Sequence, residues 1–174
     1  MTEPQDILVL TEFTGILDSL GIAYAIGGSF ASSIYGHVRF TQDVDITTEA
    51  FDDKAEKFFE LIKSKYYINK HAMYHTLSSG GSFNVIHFET AFKIDVFVRA
   101  DTDFQKQLFA RRKSLRLSDS ISRDFSVVSP EDIILLKLQW YRAGGCSSQI
   151  QLTDVIGVLA TQRDRLDFDY LEKW

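Results

Sequence analysis

Three aspartates on two short apolar stretches are the residues best suited to chemistry. Asp43 and Asp45 are one residue apart in "DVDI", and Asp95 lies inside "FKIDVFV". Side chains two residues apart on a strand point to the same face, so Val44 and Ile46 are expected in the core and both carboxylates opposite them. If the two strands are neighbours, three carboxylates converge. Oxygen-only ligands of this kind suit Mg²⁺ or Mn²⁺.

A glycine-rich turn lies upstream of the first two aspartates. Gly27, Gly28 and Ser29 follow a predicted strand over residues 22–26 and begin a predicted helix over residues 29–35. Glycines allow a ligand to approach the backbone closely. Free N–H groups at a helix start, together with the helix dipole, favour phosphate. The turn is therefore a candidate phosphate site beside a candidate metal site.

Other polar residues near these motifs allow two interpretations each. Arg39 and Thr41 either support the turn into "DVDI" or contact a substrate. Lys137 either reaches a triphosphate as a point charge or is a solvated residue of an amphipathic helix. The basic run "ARRKSLR" (110–116) either attracts RNA or a nucleotide, or is a solvated face.

The elements that must position these residues alternate between helical and strand patterns. Apolar residues spaced for one face of a first helix come before Gly21; they are Leu8, Leu10, Phe13, Ile16, Leu17 and Leu20. Strands are predicted over 43–47 and near Leu115 and Phe125, and helices over about 51–64 and near 104–111. "SFNVIHFET" and "FKIDVFV" resemble a hairpin that turns at Thr90 and Ala91. These patterns predict an α/β (α+β) fold with a mixed central sheet flanked by helices.

The last part of the chain is predicted to be helical. Ser129 as N-cap, Pro130 at the first helical position, and the acidic Glu131 and Asp132 mark a helix start. The apolar surface of this helix is predicted to comprise Ile133, Ile134, Leu136, Leu138 and Trp140. We therefore expect an α/β core over residues 1–128 and a helical part over 129–174 that packs on it as one structural unit.

The composition is that of an ordered globular protein. The 174 residues are 45% hydrophobic and 13% aromatic, with a net charge of −5 and a single cysteine. The acidic balance disfavours broad nucleic-acid binding, and one cysteine excludes an internal disulfide. No apolar run approaches membrane-spanning length and the first residues lack the basic start of a signal peptide, so we expect a cytoplasmic protein without membrane contacts.

The combination of motifs resembles the nucleotidyltransferase superfamily that includes DNA polymerase beta. The matching residues are the Gly-Ser turn (Gly28 and Ser29), the Asp-x-Asp strand (Asp43 and Asp45) and the third aspartate (Asp95). The fuller pattern "GGSFASSIYGHVRFTQDVDI" and the C-terminal helical segments are similar to a small subgroup related to the nucleotidyltransferase toxin of abortive-infection systems (AbiEii-like). The resemblance covers most of the chain. It departs in the Gly-Ser to Asp-x-Asp spacing, which is longer here than in compact nucleotidyltransferases.

The resemblance implies a metal-dependent enzyme that moves a nucleoside monophosphate from an NTP such as ATP to an acceptor. Asp43, Asp45 and Asp95 would then be catalytic and hold Mg²⁺ or Mn²⁺, while Gly27, Gly28, Ser29, Arg39, Thr41 and Lys137 would bind the nucleotide. The acceptor stays open between RNA, such as tRNA modified by a toxin that has a cognate antitoxin, and a small molecule. Two alternatives are a non-catalytic module that binds nucleotide and a purely structural or interaction protein.

Overall fold

The computed structural model describes residues 4–39, 41–118 and 120–174. In this part of the chain, seven strands form one mixed sheet in the order β3-β4-β5-β2-β1-β7-β6. The strands are β1 (Tyr24–Ile26), β2 (Asp43–Thr48), β3 (Tyr66–Ile68), β4 (Gly81–His87), β5 (Lys93–Val98), β6 (Lys113–Leu115) and β7 (Phe125–Val127). The β2–β5 and β1–β7 pairs are parallel and the others antiparallel, so the predicted mixed sheet is confirmed.

Helices flank the sheet, which confirms the predicted fold class. They are α1 (Gln5–Ser19), α2 (Gly28–Tyr35), α3 (Ala55–Ile62), α4 (Lys70–Ser79), α5 (Asp103–Ala110), α6 (Pro130–Ala143), α7 (Gln149–Gln162) and α8 (Phe168–Lys173). A 3₁₀ turn (Asp52–Lys54) precedes α3, and another (Arg163–Arg165) follows α7. Within the described residues, no helix is both long and apolar enough to cross a membrane.

The alternation of side chains on β2 and β5 is the one predicted from the sequence. Val44, Ile46, Ile94 and Val96 are at most 1% exposed and lie in the core. The residues between them face away from it. Because β2 and β5 are direct neighbours in parallel register, both strands present their polar residues on the same side of the sheet.

Two parts of the sequence prediction are incomplete or wrong. The strand β3 and the helix α4 were not predicted. For β3 the reason is its length, because three residues give too short a pattern to recognise. On α6, Leu138 and Trp140 were predicted to be buried, yet they are 39% and 59% exposed, whereas Leu135 is buried. The helix therefore turns a different face to the core near its C-terminal end.

The start of α6 has the predicted cap and an additional contact. The Ser129 hydroxyl accepts a hydrogen bond from the Asp132 backbone N–H at 3.1 Å, as expected for an N-cap. Glu131 and Asp132 were assigned only to the helix dipole. Both are buried, and both contact the Arg111 guanidinium, at 3.0 Å and 3.9 Å. Tyr170 on α8 donates a further hydrogen bond to Asp132 at 2.7 Å, which ties α8 to α6.

Helix α7 packs closely against the end of α2. A Cβ placed on Gly36 would lie 2.8 Å from both the Gly157 carbonyl carbon and the Val158 nitrogen. The Gln162 side chain donates a hydrogen bond to the Tyr35 carbonyl at 2.8 Å. Gly36 has φ of −128°, outside the left-handed region, and the close approach of α7 leaves no room for a side chain there.

We expect Gly36→Ala to lower the free energy of unfolding by about 1–3 kcal/mol, because the new methyl group must push α7 away from α2. Urea unfolding followed by circular dichroism measures the change. Gly144→Ala is the matched control, since its added methyl group would approach its nearest neighbour, the Trp140 carbonyl oxygen, at 3.4 Å. Equal stability of the two variants would contradict the close helix packing.

Candidate active site

The parallel pairing of β2 and β5 brings the three predicted aspartates together. Asp45 is in register with Asp95, and Asp43 is in register with Lys93. The Asp43 side chain is 44% exposed and that of Asp95 is 17% exposed. The predicted convergence of Asp43, Asp45 and Asp95 on one face of the sheet therefore rests on a direct pairing of strands.

The surroundings of Asp45 disfavour its ionised form. Burial raises the pKa of its carboxyl to about 6, and the charges of Asp43 and Asp95 add to the effect. Lys137 and Lys93 oppose the shift without cancelling it. The site thus holds more negative charge than its own lysines neutralise.

Lys93 is a member of the site that the sequence analysis missed. Its ammonium lies 2.8 Å from an oxygen of Asp95 and 3.6 Å from an oxygen of Asp43. The hydrogen bond to Asp95 holds the pKa of Lys93 above its ordinary value, so the side chain is a cation at neutral pH. The two-residue alternation that groups Asp43 with Asp45 also groups Lys93 with Asp95, and it was a signal available in the sequence.

The donor set fits a hard divalent cation in chemistry and in charge. Three carboxylates provide oxygen ligands of the type that Mg²⁺ and Mn²⁺ take, and one ammonium leaves their negative charge partly uncompensated. Within the described ranges, no group of three or more Asp, Glu, His or Cys side chains is arranged as a metal site. A bound cation would therefore need further oxygens, such as those of a nucleotide's phosphates, in addition to Asp43, Asp45 and Asp95.

The glycine-rich turn lies directly against Asp45. The Gly27 N–H donates to the Asp45 carbonyl at 2.8 Å, as β1 continues alongside β2. Gly28 has φ of +58°, and a Cβ at this position would come within 2.6 Å of the Asp45 Cγ. Helix α2 begins here with Gly27 as N-cap, and glycine has no side chain that could cap the first N–H groups of the helix. Those groups are free to bind an anion beside the acidic face.

Two cations meet at the Ser29 hydroxyl, in the first turn of α2. Arg39 donates to Ser29 through a short hydrogen bond, and the Lys137 ammonium lies 3.3 Å from the same oxygen. Lys137 is buried, at 5% exposure, and does not extend into solvent from an amphipathic helix. The structure therefore brings Ser29, Arg39 and Lys137 together, although they are far apart in the sequence.

Asp154 on α7 is the anion that holds both cations, and the sequence analysis did not identify it. Its carboxylate accepts from Arg39 at 3.0 Å and contacts Lys137 at 2.8 Å. Burial alone would raise the pKa of Asp154, but the hydrogen bonds from Arg39 and Lys137 outweigh it and hold that pKa below its ordinary value. With two cations and one carboxylate, the cluster has one net positive charge at the start of α2.

Thr41 has a structural position. Its hydroxyl donates to the Asp43 carbonyl at 3.1 Å and to the Asp43 carboxylate at 2.9 Å. The first of the two interpretations, support of the turn into "DVDI", is the one that these hydrogen bonds favour.

The basic run over residues 110–116 is partly engaged in ion pairs, although Lys113 and Arg116 are exposed. Arg111 contacts Glu131, Asp132 and Asp167. Arg116 forms an ion pair with Asp124 at 3.2 Å. A solvated basic face for RNA would need these side chains free, so the run offers less positive surface than its sequence indicates.

Comparisons with known proteins give matches in structure but not in sequence. No family model and no curated protein matches the chain. The lincosamide antibiotic adenylyltransferase LnuA, solved with lincomycin bound, has a TM-score of 0.59 and 13% identity, over 90% of this chain and 96% of that one. ANT(2")-Ia, solved in complex with adenylyl-2"-tobramycin, has a TM-score of 0.62 and 13% identity, over 98% and 94%. A nucleotidyltransferase-like antigenic protein from Paracoccidioides brasiliensis has a TM-score of 0.58 and 20% identity, over 91% and 75%.

These three structures are similar to this one over 90–98% of the chain. The sequence identities are too low for the substrates of those proteins to be assigned to this chain. The structural similarity establishes the architecture alone. The chain has the fold of the nucleotidyltransferases.

Proposed function

We propose that this protein is a metal-dependent nucleotidyltransferase that transfers a nucleoside monophosphate from an NTP to an acceptor. The observation that supports this function best is the position of the three carboxylates of β2 and β5 beside the cationic start of α2. An acidic site next to an anion site is what a metal–triphosphate complex requires. The nucleotidyltransferase fold is consistent with this assignment.

In the proposed reaction, an acceptor oxygen attacks the α-phosphorus of the NTP. A new O–P bond forms, the bond to the bridging oxygen breaks, and pyrophosphate leaves with that electron pair. Asp43, Asp45 and Asp95 would hold Mg²⁺ or Mn²⁺, which when bound neutralises charge on the attacking and leaving oxygens. Asp95 is the candidate to take the acceptor's proton.

The start of α2 has the complementary role of binding the phosphates. The first N–H groups of the helix and the Ser29 hydroxyl would donate to phosphate oxygens, and Arg39 and Lys137 would provide positive charge. Gly27 and Gly28 leave the backbone open for this approach. Thr41 would act indirectly by holding Asp43.

We further propose that residues 1–128 are the nucleotidyltransferase core and that residues 129–174 complete its site as part of one unit. The reason is that Lys137 and Asp154, both from the helical part, contact Ser29 and Arg39 of the core. A core without these helices would lose one cation and the carboxylate that orients the other.

We propose that the acceptor is a small hydroxyl-bearing molecule and that the NTP is ATP. The net charge of −5 and the ion pair of Arg111 with the buried Glu131 disfavour a polyanionic acceptor. LnuA and ANT(2")-Ia were solved with antibiotic-derived ligands, which is consistent with a small acceptor. The other acceptor class is RNA or tRNA, as for an AbiEii-like cytoplasmic toxin controlled by an antitoxin.

Incubation with α-labelled NTPs tests the function and separates the acceptor classes. The protein is supplied with Mg²⁺ or Mn²⁺ and either total RNA or a mixture of small polyhydroxylated compounds that includes aminoglycosides and lincosamides. We expect label in the small-molecule fraction and release of pyrophosphate, both absent with Asp43→Ala. Label in the RNA fraction would instead favour the function of a toxin that modifies RNA. A thermal shift with NTP but no labelled product would indicate a non-catalytic nucleotide-binding module.

A further inference from the structure

Lys93 occupies part of the space that the proposed metal would use. Its ammonium bridges Asp43 and Asp95, at 3.6 Å and 2.8 Å, on the same face of the sheet as both carboxylates. The Lys93 side chain is 37% exposed, so it has solvent into which it can move. A lysine in this position is an internal counter-ion for two of the three proposed metal ligands.

An ammonium and a divalent cation cannot both lie closely between the same pair of carboxylates. Each cation is stabilised by the same negative charges, and the two repel each other. Lys93 neutralises Asp45 less than the other two carboxylates, because its ion pairs are with Asp43 and Asp95. The three carboxylates are therefore unequal, because Lys93 forms ion pairs with Asp43 and Asp95 and none with Asp45.

We propose that Lys93 competes with the divalent cation for Asp43 and Asp95, so that the protein binds Mg²⁺ or Mn²⁺ weakly by itself and binds it well only together with a nucleotide. The proposal rests on the proposed function, because it concerns the same metal site. The triphosphate contributes the additional oxygens, and the displaced ammonium gains phosphate oxygens as new partners. Lys93 thereby links metal binding to nucleotide binding and is a positioning residue.

Titration with Mn²⁺ alone, followed by the electron paramagnetic resonance signal of the free ion, tests the proposal without any activity measurement. Lys93→Met keeps the length of the side chain and removes its charge. We expect it to bind Mn²⁺ on the order of tenfold more tightly than wild type, because the competing cation is gone. Lys57→Met is the matched control, because Lys57 is an exposed lysine of α3 and the same unit of charge is lost. Its Mn²⁺ affinity is expected to stay within about twofold of wild type.

Melting curves provide a second readout from the same proteins. In EDTA, Lys93→Met is expected to melt below wild type, since Asp43 and Asp95 then repel each other without a counter-ion. Added Mn²⁺ is expected to raise the melting temperature of Lys93→Met more than that of wild type. If Lys93→Met does not fold, Lys93→Gln removes the same charge and retains a hydrogen-bond donor for Asp95.

The outcomes separate this proposal from the proposed function. Equal Mn²⁺ affinity in Lys93→Met and wild type, with binding abolished by Asp45→Asn, would overturn the competition and leave the metal site intact. An equal gain in Lys57→Met would also overturn it, because the effect would then be one of net charge. Absence of Mn²⁺ binding in wild type, Lys93→Met and Lys57→Met, with or without NTP, would overturn both the competition and the proposed metal-dependent function.

Discussion

Asp45→Asn is expected to reduce nucleotidyl transfer by at least about a hundredfold, and at neutral pH without metal the variant is expected to be more stable than wild type. The loss of activity follows from the removal of one negative charge that would hold the cation at the reacting phosphate. The gain in stability follows because burial, together with the charges of Asp43 and Asp95, raises the pKa of Asp45 to about 6 and so penalises its ionised form in the folded protein. Opposite effects on activity and stability are typical of residues retained for function.

The stability difference between Asp45→Asn and wild type is expected to depend on pH in a defined direction. The pKa of Asp45 is about 6 in the folded protein, against an ordinary value of 3.8. Between those values the folded state binds more protons than the unfolded state, so wild type loses stability as the pH rises. Asparagine does not titrate. The advantage of the variant should therefore grow from about pH 4 to about pH 6 and level off above pH 7, at on the order of 2–3 kcal/mol.

Urea unfolding in EDTA across this pH range measures the effect, and labelled-NTP transfer measures activity. Asp53→Asn is the control, because Asp53 is exposed in the 3₁₀ turn before α3. Its stability difference from wild type should stay flat with pH. An Asp45→Asn variant that is less stable than wild type at pH 7, with a flat pH profile, would contradict the electrostatic description of the site.

Gly28→Ala is expected to abolish nucleotide binding and to lower the free energy of unfolding by more than a backbone penalty alone. Alanine at a φ of +58° costs about 1–2 kcal/mol. In addition, the new methyl group would overlap the Asp45 carboxylate, with the Asp45 Cγ only 2.6 Å away. Asp45 must then leave its position in the acidic site, or the start of α2 must move. Either change separates the carboxylates from the turn that we propose to bind phosphate.

Gly145→Ala separates these two causes. Gly145 has a similar φ of +69°, and a Cβ there would meet no atom within 4 Å. We expect this variant to lose only the backbone contribution and to bind NTP as wild type does. Calorimetric titration with ATP and Mg²⁺, together with urea unfolding, measures both quantities. Equal behaviour of the two alanine variants would show that the contact between Gly28 and Asp45 has no effect.

The sequence predicted the parts of the site that depend on short-range pattern. Alternation on a strand placed Val44 and Ile46 in the core, and it placed Asp43 and Asp45 opposite them. An embedded charge in an apolar run identified Asp95. Such patterns are local, and the backbone geometry of a strand makes them visible without knowledge of the fold.

The residues that the sequence did not reveal depend on tertiary contacts. Asp154 is one acidic residue within an otherwise amphipathic helix, and only the packing of α7 on α2 and α6 brings it to Arg39 and Lys137. Arg111 belongs to a basic run whose sequence indicates solvent exposure, yet it contacts the buried carboxylates of α6. Lys93 is different, because the two-residue alternation along β5 places it on the same face as Asp95 and can be read from the sequence.

The contacts between the start of α2 and the last helices have a consequence for synthesis of the protein. Lys137 is 108 residues from Ser29, and Asp154 is 115 residues from Arg39. At roughly 5–20 residues per second, a ribosome takes about 6 to 23 seconds to add the chain between Arg39 and Asp154. Closing such long loops is among the slower steps of folding. A nascent chain that already contains the glycine turn and the acidic strands therefore lacks the final arrangement of the two cations that we propose to bind the triphosphate. We expect nucleotide binding to be confined to completed chains.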